Sequence, residues 1–238
     1  MLDKCPGKDR RQADAENITC SVCGYAAEIF FDEIKVRCPG CGSSICRERL
    51  PTCLDWCKAA KECLGQEDYR SYQEGKSAIL KDKLIKELED YFGSDLKRIN
   101  HAKKVLGYAE EISRKEQADW EVVIPASILH DVGIKLAEEK YSSSAGHLQE
   151  KLGPEIARKI LLKSGVSKEK RDEICQIIGC HHSPGKINTA NFKVLYDADW
   201  LVNLGEEAGT ADKAKLARII EKVFLTKTGK DMSKRIYL

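Results

Sequence analysis

The sequence lacks three features that would point to a charged or membrane-bound partner. Its 40 Lys and Arg residues nearly balance its 38 Asp and Glu residues, and the formal net charge is only +2. No field of one sign therefore favours nucleic acid or a membrane surface. The longest apolar run, residues 122–129, is too short to cross a bilayer, and the first 17 residues contain no apolar stretch of the kind found in secretory signals. We therefore expect a cytoplasmic protein without membrane contact.

Cysteine and histidine occupy different parts of the chain. Nine of the 11 cysteines lie in the first 63 residues, and all five histidines lie beyond residue 100. In a reducing cytosol, dense cysteines favour thiolate ligation of a metal over disulfides, and an odd number of cysteines cannot pair completely. We therefore divide the chain into a Cys-rich module over residues 1–65 and a second region that carries the histidines.

Apolar residues beyond residue 65 recur at the three- and four-residue spacing of helices. One such pattern predicts a connecting helix over residues 66–93, which ends near Gly93. The later patterns predict an all-α domain over residues 94–238. Helices therefore make up most of the predicted fold, and the chain is assigned to the mainly α class.

Two pairs of cysteines have the spacing of zinc knuckles, and 14 residues separate the pairs. They are Cys20 with Cys23 and Cys38 with Cys41. In each CxxC-Gly segment the chain turns tightly enough for both sulfurs to face one ion, and glycine accepts the positive φ that this turn requires. Between the pairs, residues 28–31 and 34–37 predict two short strands joined by a turn. Four thiolates around Zn²⁺ would complete a small β-hairpin zinc ribbon, and four free cysteines in the same hairpin are the alternative.

A second group of cysteines follows the knuckles and consists of Cys46, Cys53, Cys57 and Cys63. Two of its members are i and i+4 on a short predicted helix that starts with Pro51, so their sulfurs share one face. The group is a candidate for a second zinc ion or an iron–sulfur cluster, and buried apolar thiols are the alternative. Cys5 is a candidate alternate ligand of this second cysteine site, whereas Cys175 and Cys180 are expected in the helical core.

The function of a zinc ribbon cannot be inferred from the identity of its metal ligands. A partner protein and the adjoining domain are its candidate contacts, and the near-zero net charge makes nucleic acid a less favoured one. We therefore expect structure and partnership, rather than chemistry, to depend on the module.

Histidine and aspartate residues continue several apolar helix faces in the second region. His101, His130 and His181 each extend an apolar stripe, which directs their rings inward. Asp197 and Asp199 lie within another such stripe. A buried carboxylate without a partner is costly, and metal coordination supplies that partner. The pattern predicts a buried metal site, and a set of unrelated core histidines is the alternative.

Taken together, these segments resemble the HD superfamily of metal-dependent phosphohydrolases, which is named for an adjacent His-Asp pair. The segments that carry the resemblance follow the family's order: NHA at 100–102, SILHDVGIK at 127–135, IGCHH at 178–182 and YDADWL at 196–201. The resemblance covers about residues 94–205 and says nothing about residues 1–65. It implies an all-α fold, a divalent metal ion and a phosphorylated substrate, most often a nucleotide or a related small molecule.

Carried over position by position, the resemblance implies a set of metal ligands. They are His101, His130, Asp131 and Asp199, with Asp197 as the alternative aspartate. Asp199 is favoured because the family's last ligand commonly stands two residues before a leucine, as it does here. The ion would be Mn, Fe, Co, Ni or Mg. Asp131 would also accept a proton from the attacking water, and Lys135 would contact the substrate phosphate; a solvated helix charge is the alternative for Lys135.

Three further histidines are candidates for a second ion. In members of the superfamily that hold two metals, histidines from the segments of His147 and His181 bind the second ion, and His182 is an additional candidate ligand or phosphate contact. The implied reaction is hydrolysis of a phosphomonoester or phosphodiester. The alternatives are a di-iron oxygenase of the same superfamily and a non-catalytic nucleotide-sensing regulator, and the complete His-Asp set argues against the regulator.

Overall fold

The computed structural model describes residues 15–20, 22–30, 35–46, 59–207 and 212–238. The chain divides into two compact units, Met1–Ile79 and Leu80–Leu238. The boundary lies inside the long helix α2, which spans Gln66–Phe92. The division at residues 65 and 93 stays a prediction, and each unit is described by itself.

Two small antiparallel hairpins form around the knuckle cysteines of the first unit, which also includes helical residues 60–64 and the start of α2. Strand β1 (Glu16–Thr19) pairs with β2 (Ala26–Ile29), and β3 (Lys35–Arg37) pairs with β4 (Ser44–Cys46). Among the described residues, those of the predicted hairpin 28–31 with 34–37 pair with β1 and β4 and not with each other, so the predicted pairing is wrong there; residues 31–34 lie outside the described part of the chain. Each CxxC segment reverses the chain, so the residues on its own two sides pair with each other.

Backbone hydrogen bonds close each of these knuckle turns. The N–H of Gly24 donates to the carbonyl of Cys20, and the N–H of Gly42 donates to that of Cys38, both at 2.9 Å. Both glycines have a φ of +73°, the left-handed conformation that the CxxC-Gly pattern predicts. Of the short helix predicted from Pro51, residues 51–58 lie outside the described part of the chain, and α1 spans Ala60–Leu64.

The second unit is helical, which confirms the predicted mainly α class. After α2, the helices are α3 (Leu96–Ser113), α4 (Trp120–Leu129), α5 (Gly133–Tyr141), α6 (Gly146–Lys163), α7 (Lys168–Ile178), α8 (Ala190–Glu207), α9 (Lys213–Val223) and α10 (Lys227–Tyr237). None of the helices within the described residues combines the length and the apolar character needed to cross a membrane.

Helix α4 carries the long apolar run and occupies the centre of this unit. Every residue from Val122 to Leu129 is buried. A helix that is apolar on all faces has to be covered on all sides, and α3, α7 and α8 pack around it. The three residues that follow, 130–132, form the turn before α5 begins at Gly133. The core therefore holds this turn in a fixed position.

Candidate metal centres

Four elements bring distant side chains to one point of the second unit. His101 lies in α3, His130 and Asp131 lie in the turn after α4, His181 follows α7, and Asp199 lies in α8. These helices share one apolar core. Their polar members therefore meet where the apolar stripes meet, in a cluster that we call the histidine cluster.

The ligand atoms of His101, His130 and Asp131 have the spacing of ligands around one ion, and Asp199 adjoins the two imidazoles. Nε2 of His101 is 3.1 Å from Oδ1 of Asp199 and 3.4 Å from Nε2 of His130. Oδ2 of Asp131 is 3.4 Å from Nε2 of His130 and 3.7 Å from Nε2 of His101. Ligands bound about 2.1 Å from an ion are about 3.0 Å apart at a right angle and about 3.4 Å apart in a tetrahedron. His101, His130 and Asp131 therefore need little movement to bind a single divalent ion, and Asp199 lies beside the two imidazoles of this group.

Backbone carbonyls orient two of the rings. Nδ1 of His130 donates to the carbonyl of Ser127 at 2.8 Å, and Nδ1 of His181 donates to the carbonyl of Ile178 at 2.7 Å. Because a carbonyl only accepts, each Nδ1 carries a proton and each Nε2 is the nitrogen that faces the cluster. Nε2 of His181 is buried without a hydrogen-bond partner among the described residues. Metal-binding histidines are typically held in this way, so the donor set fits a divalent ion.

Charge within the cluster is strongly coupled. Burial opposes the protonation of His130, but the carboxylates of Asp131 and Asp199 outweigh it and raise the pKa of this imidazole well above its usual value. Burial also opposes ionisation of the two carboxyl groups. The neighbouring histidines outweigh this effect of burial. His130 and His181 hold the pKa of Asp131 well below its usual range, and His101 and His130 hold the pKa of Asp199 well below its usual range. Both aspartates are therefore carboxylates, the form that binds a cation.

Asp131 stands between two groups of histidines. Its Oδ2 faces His101 and His130, while its Oδ1 is 3.5 Å from Nε2 of His181. The ring of His181 lies against the ring of His182, with 3.9 Å between the centroids. Ligand atoms of Asp131, His181 and His182 lie within 4.8 Å of one another. One carboxylate can therefore offer an oxygen to each of two neighbouring ions.

The two candidate aspartates of α8 have different surroundings. Asp199 belongs to the histidine cluster, whereas Asp197 accepts hydrogen bonds from the N–H groups of Leu225 and Thr226 and from the Thr226 hydroxyl, at 2.6–2.8 Å. Burial raises the pKa of Asp197 to about 6 in spite of these bonds. The geometry thus favours Asp199 as the ligand, as the sequence does, and Asp197 ties α8 to the start of α10.

Two predicted site residues lie apart from the cluster. Nζ of Lys135 donates to the carbonyl of Tyr91 at 2.8 Å and lies over the Tyr91 ring, so its ammonium is held at the end of α2. His147 is exposed in the first turn of α6 and belongs to none of the groups of described side chains whose ligand atoms lie together. The predicted second-ion role of His147 is therefore not supported, since the chain brings Gly146 rather than His147 against the ring of His182.

Two residues of α6 contact the cluster without any signal in the sequence. Oε1 of Gln149 is 3.0 Å from Nε2 of His182, and Oε1 of Glu150 accepts the backbone N–H of His182 at 3.0 Å. Only the packing of α6 against α7 brings them there. Neither residue type nor spacing from the histidines identifies them in advance.

The four knuckle cysteines form a second candidate centre, in the first unit. Their sulfurs lie within 4.8 Å of one another, with 3.7 Å between Cys20 and Cys41 and 3.5 Å between Cys23 and Cys38. Sulfurs bound about 2.3 Å from a tetrahedral Zn²⁺ are about 3.8 Å apart. The cysteine cluster therefore has the dimensions of a zinc site with four thiolate ligands.

A hydroxyl group supports two of these sulfurs. Oγ of Ser43 is 3.2 Å from Sγ of Cys20 and 3.0 Å from Sγ of Cys41. Hydrogen bonding by this hydroxyl lowers the pKa of Cys20 to about 6 and also lowers the pKa of Cys41. Zn²⁺ binds the thiolate form. Ser43 is therefore a further residue of the site, and its position two residues after Cys41 is the only hint of it in the sequence.

The other cysteines divide into described and undescribed ones. Cys5, Cys53 and Cys57 lie outside the described residues, and nothing is described of the side chains of Cys46 and Cys63, so the second cysteine centre stays a prediction. In the helical unit, Cys175 is buried in the core with its Sγ 3.4 Å from the carbonyl of Pro154, and Cys180 packs partly buried against that core.

Comparison with known proteins agrees with this geometry. Residues 98–220, more than half of the chain, match the HD domain family. A crystal structure of a protein named as a predicted HD superfamily hydrolase, from an uncultured Thermotogales bacterium, is 25% identical with a TM-score of 0.50, covering 66% of this chain and 84% of that one. Bacillus subtilis YpgQ is 20% identical with a TM-score of 0.47, covering 67% and 89%. No curated protein matches the chain. On the family match, the chain belongs to the HD domain family.

Proposed function

We propose that this protein is a metal-dependent phosphohydrolase that cleaves a phosphomonoester or phosphodiester, with a nucleotide or a related small molecule as its substrate. The hydrolase class is supported by the HD domain match and by the similarity to the Thermotogales protein, which is named a predicted HD superfamily hydrolase. The substrate class follows from the resemblance to metal-dependent phosphohydrolases of the superfamily.

One observation carries the proposal. Two imidazoles and two carboxylates from three separate segments lie close together, with 3.1–3.7 Å between the two imidazole Nε2 atoms and from each of them to an oxygen of either carboxylate. Nitrogen and oxygen donors of this kind suit Mn²⁺, Fe²⁺, Co²⁺ and Ni²⁺, and Mg²⁺ to a lesser degree. A buried cluster with this much charge is costly unless a cation completes it.

The residues of the cluster would have distinct roles. A divalent ion held by His101, His130, Asp131 and Asp199 would supply an activated water and neutralise charge on the phosphoryl oxygens. Asp131 would bind the ion through its carboxylate and would also accept a proton from the attacking water. Lys135 would have to leave the carbonyl of Tyr91 before it could contact a phosphate.

A substrate panel tests the proposal directly. The full chain, loaded with Mn²⁺, is incubated with nucleoside mono-, di- and triphosphates and with simple phosphomonoesters and phosphodiesters, and release of phosphate or pyrophosphate is measured. Metal-dependent hydrolysis that disappears in Asp131→Asn and persists in His147→Ala is the expected result. Absence of hydrolysis from a protein with a bound ion would contradict the proposal.

The position of Asp131 between two histidine groups also favours a second ion, bound by Asp131, His181 and His182. If both ions were iron, the alternative activity would be that of a di-iron oxygenase. Metal analysis and spectroscopy of the anaerobically purified protein discriminate between the two activities. Two iron ions of mixed valence with no hydrolysis would support the oxygenase, whereas activity with Mn²⁺ supports the phosphohydrolase.

The cysteine cluster would hold a structural zinc ion. The apolar cluster around these cysteines is small, with Cys20, Ala27, Cys38 and Ile45 as its buried members, and a core of this size does not support a fold without help. Zinc binding would supply the missing free energy. Within the proposal, this module contributes a protein-contact surface and takes no part in hydrolysis.

A further inference from the structure

His182 is held from two sides by helix α6, although it is more exposed than the other histidines of the cluster. Its ring Nε2 is 3.0 Å from Oε1 of Gln149, and its backbone N–H donates to Glu150 at 3.0 Å. Glu150 also accepts the hydroxyl of Ser183 at 2.9 Å. The α6 residues thus determine where the ring of His182 stands beside His181.

A backbone carbonyl determines the orientation of the Gln149 amide. Nε2 of Gln149 donates to the carbonyl of Ser144 at 2.6 Å. Because a carbonyl cannot donate, the amide nitrogen must face Ser144 and the amide oxygen must face His182. Gln149 is itself buried, and both ends of its side chain are therefore satisfied.

This amide in turn selects the tautomer of His182. An amide oxygen only accepts, so Nε2 of His182 has to carry the proton and Nδ1 is left with a lone pair. His130 and His181 are oriented the other way, with Nδ1 donating to a backbone carbonyl and Nε2 facing the cluster. His182 can therefore reach a cation only through Nδ1.

Two glycines make this arrangement tight. A Cβ at Gly133 would lie 2.5 Å from the backbone oxygen of Gln149, and a Cβ at Gly146 would lie 2.8 Å from Cδ2 of His182. The first glycine directly follows the His-Asp turn, so α5 and α6 approach each other closely at Gln149. Side chains at these two positions would displace either the amide or the ring.

We propose that Gln149 is a positioning residue that holds the tautomer and the rotation of His182, so that Nδ1 is available to a second divalent ion beside Asp131 and His181. This inference depends on the proposed function in one respect only, which is the presence of a second ion. The observation that supports it is the chain of hydrogen bonds that runs from the Ser144 carbonyl through Gln149 to His182.

The test uses the full chain and a spectroscopic signature of the ring. Long-range ¹H–¹⁵N spectra are recorded at pH 8 on chelator-treated protein, since a neutral imidazole reports which nitrogen carries its proton. The chain has only five histidines, and the spectrum of His182→Ala assigns the ring of interest. Mn²⁺ binding is then titrated, because Mn²⁺ prefers oxygen and nitrogen ligands and leaves the cysteine cluster alone.

The expected results separate positioning from general damage. The wild type shows His182 protonated at Nε2 and binds two Mn²⁺ ions. Gln149→Met gives a mixture of His182 tautomers and lowers the affinity for the second Mn²⁺ ion by about 10-fold or more, which is the usual effect of removing a second-sphere partner. The affinity for the first ion is unchanged. Gln149→Glu keeps an acceptor towards Nε2 of His182 and therefore keeps the tautomer, although its carboxylate cannot donate to the Ser144 carbonyl. Gln176→Met, the same change as Gln149→Met at an exposed position of α7, alters neither measurement.

Three results would overturn the proposal. One is a wild-type spectrum with His182 protonated at Nδ1, which does not depend on any variant folding. Another is a Gln149→Met protein with unchanged ring shifts and unchanged Mn²⁺ affinity. The third is a wild type that binds a single Mn²⁺ ion in the histidine cluster, and hydrolysis by that one-ion protein would show that the phosphohydrolase proposal survives while this one fails.

Discussion

The cysteine cluster and the histidine cluster are assembled in opposite ways. The four cysteines lie within residues 20–41, and each pair belongs to one local turn. The histidine cluster collects its side chains from residues 101 to 199, through helices that share a large apolar core. A site of the first kind depends on its metal for its fold, whereas one of the second kind is preformed by packing and exists before the metal binds.

The largest expected effect is that of Asp131→Asn, which tests whether the histidine cluster is preformed by packing. Asp131→Asn removes the carboxylate shared by both histidine groups, so we expect metal-dependent hydrolysis to fall by more than about 100-fold, beyond the loss usual for a second-sphere partner. The helical unit should stay folded because its core is untouched. Activity, Mn²⁺ binding and circular dichroism check this. Full turnover in this variant would remove Asp131 from the site.

The cysteine cluster should respond in the reverse manner. In Cys41→Ser, loss of one thiolate should release the proposed zinc ion and unfold the two hairpins, since zinc binding would be the main source of their stability. Helices α3 to α10 should keep their melting temperature. Metal analysis measures the loss of zinc from the hairpins, and thermal unfolding measures the melting temperature of the helices. A matched fall in the melting temperature of the helical unit would mean that the two clusters are not independent.

A pair of variants in α8 separates ligand binding from packing within the helical unit. Asp199→Asn should weaken ion binding by at least about 10-fold. Asp197→Asn should leave ion binding nearly unchanged and lower the free energy of unfolding by about 1–3 kcal/mol, because its amide N–H₂ cannot accept the bonds from residues 225 and 226. Mn²⁺ titration and urea unfolding distinguish the two. The opposite pattern would make Asp197 the ligand.

A smaller effect is expected at the second ion. His181→Ala should reduce the Mn²⁺ content of the histidine cluster from about two ions to about one, since it removes the buried Nε2 that has no other partner among the described residues. His147→Ala, at an exposed position, is the matched control and should change nothing. Equal metal content in wild type and His181→Ala would make His181 a core or substrate-contacting residue.

The smallest effect concerns Ser43. Ser43→Ala removes the hydroxyl beside Cys20 and Cys41 but keeps all four thiolates, so we expect zinc affinity to fall by about 10-fold without loss of the hairpins. Competition with a chromogenic chelator measures the affinity. An unchanged affinity would mean that the backbone turns alone prepare the cysteines for zinc.

The local features were predictable from the sequence because their causes are local. The CxxC-Gly pattern predicts two knuckle turns, since only nearby residues and glycine's freedom at positive φ are needed for them. Apolar spacing predicts the helices, and the inward position of His101, His130 and His181 follows from the same periodicity. The family resemblance then orders these segments, and the match over residues 98–220 agrees with it.

Other features were decided only by tertiary structure. Asp197 and Asp199 differ by about 200° around a helix, and periodicity does not say which direction leads to the cluster and which to α10. The contacts of Lys135 with Tyr91 and of Gln149 with His182 join residues that are 44 and 33 positions apart. Spacing along the chain identifies the face on which a side chain lies, but what stands opposite that face depends on how whole helices pack.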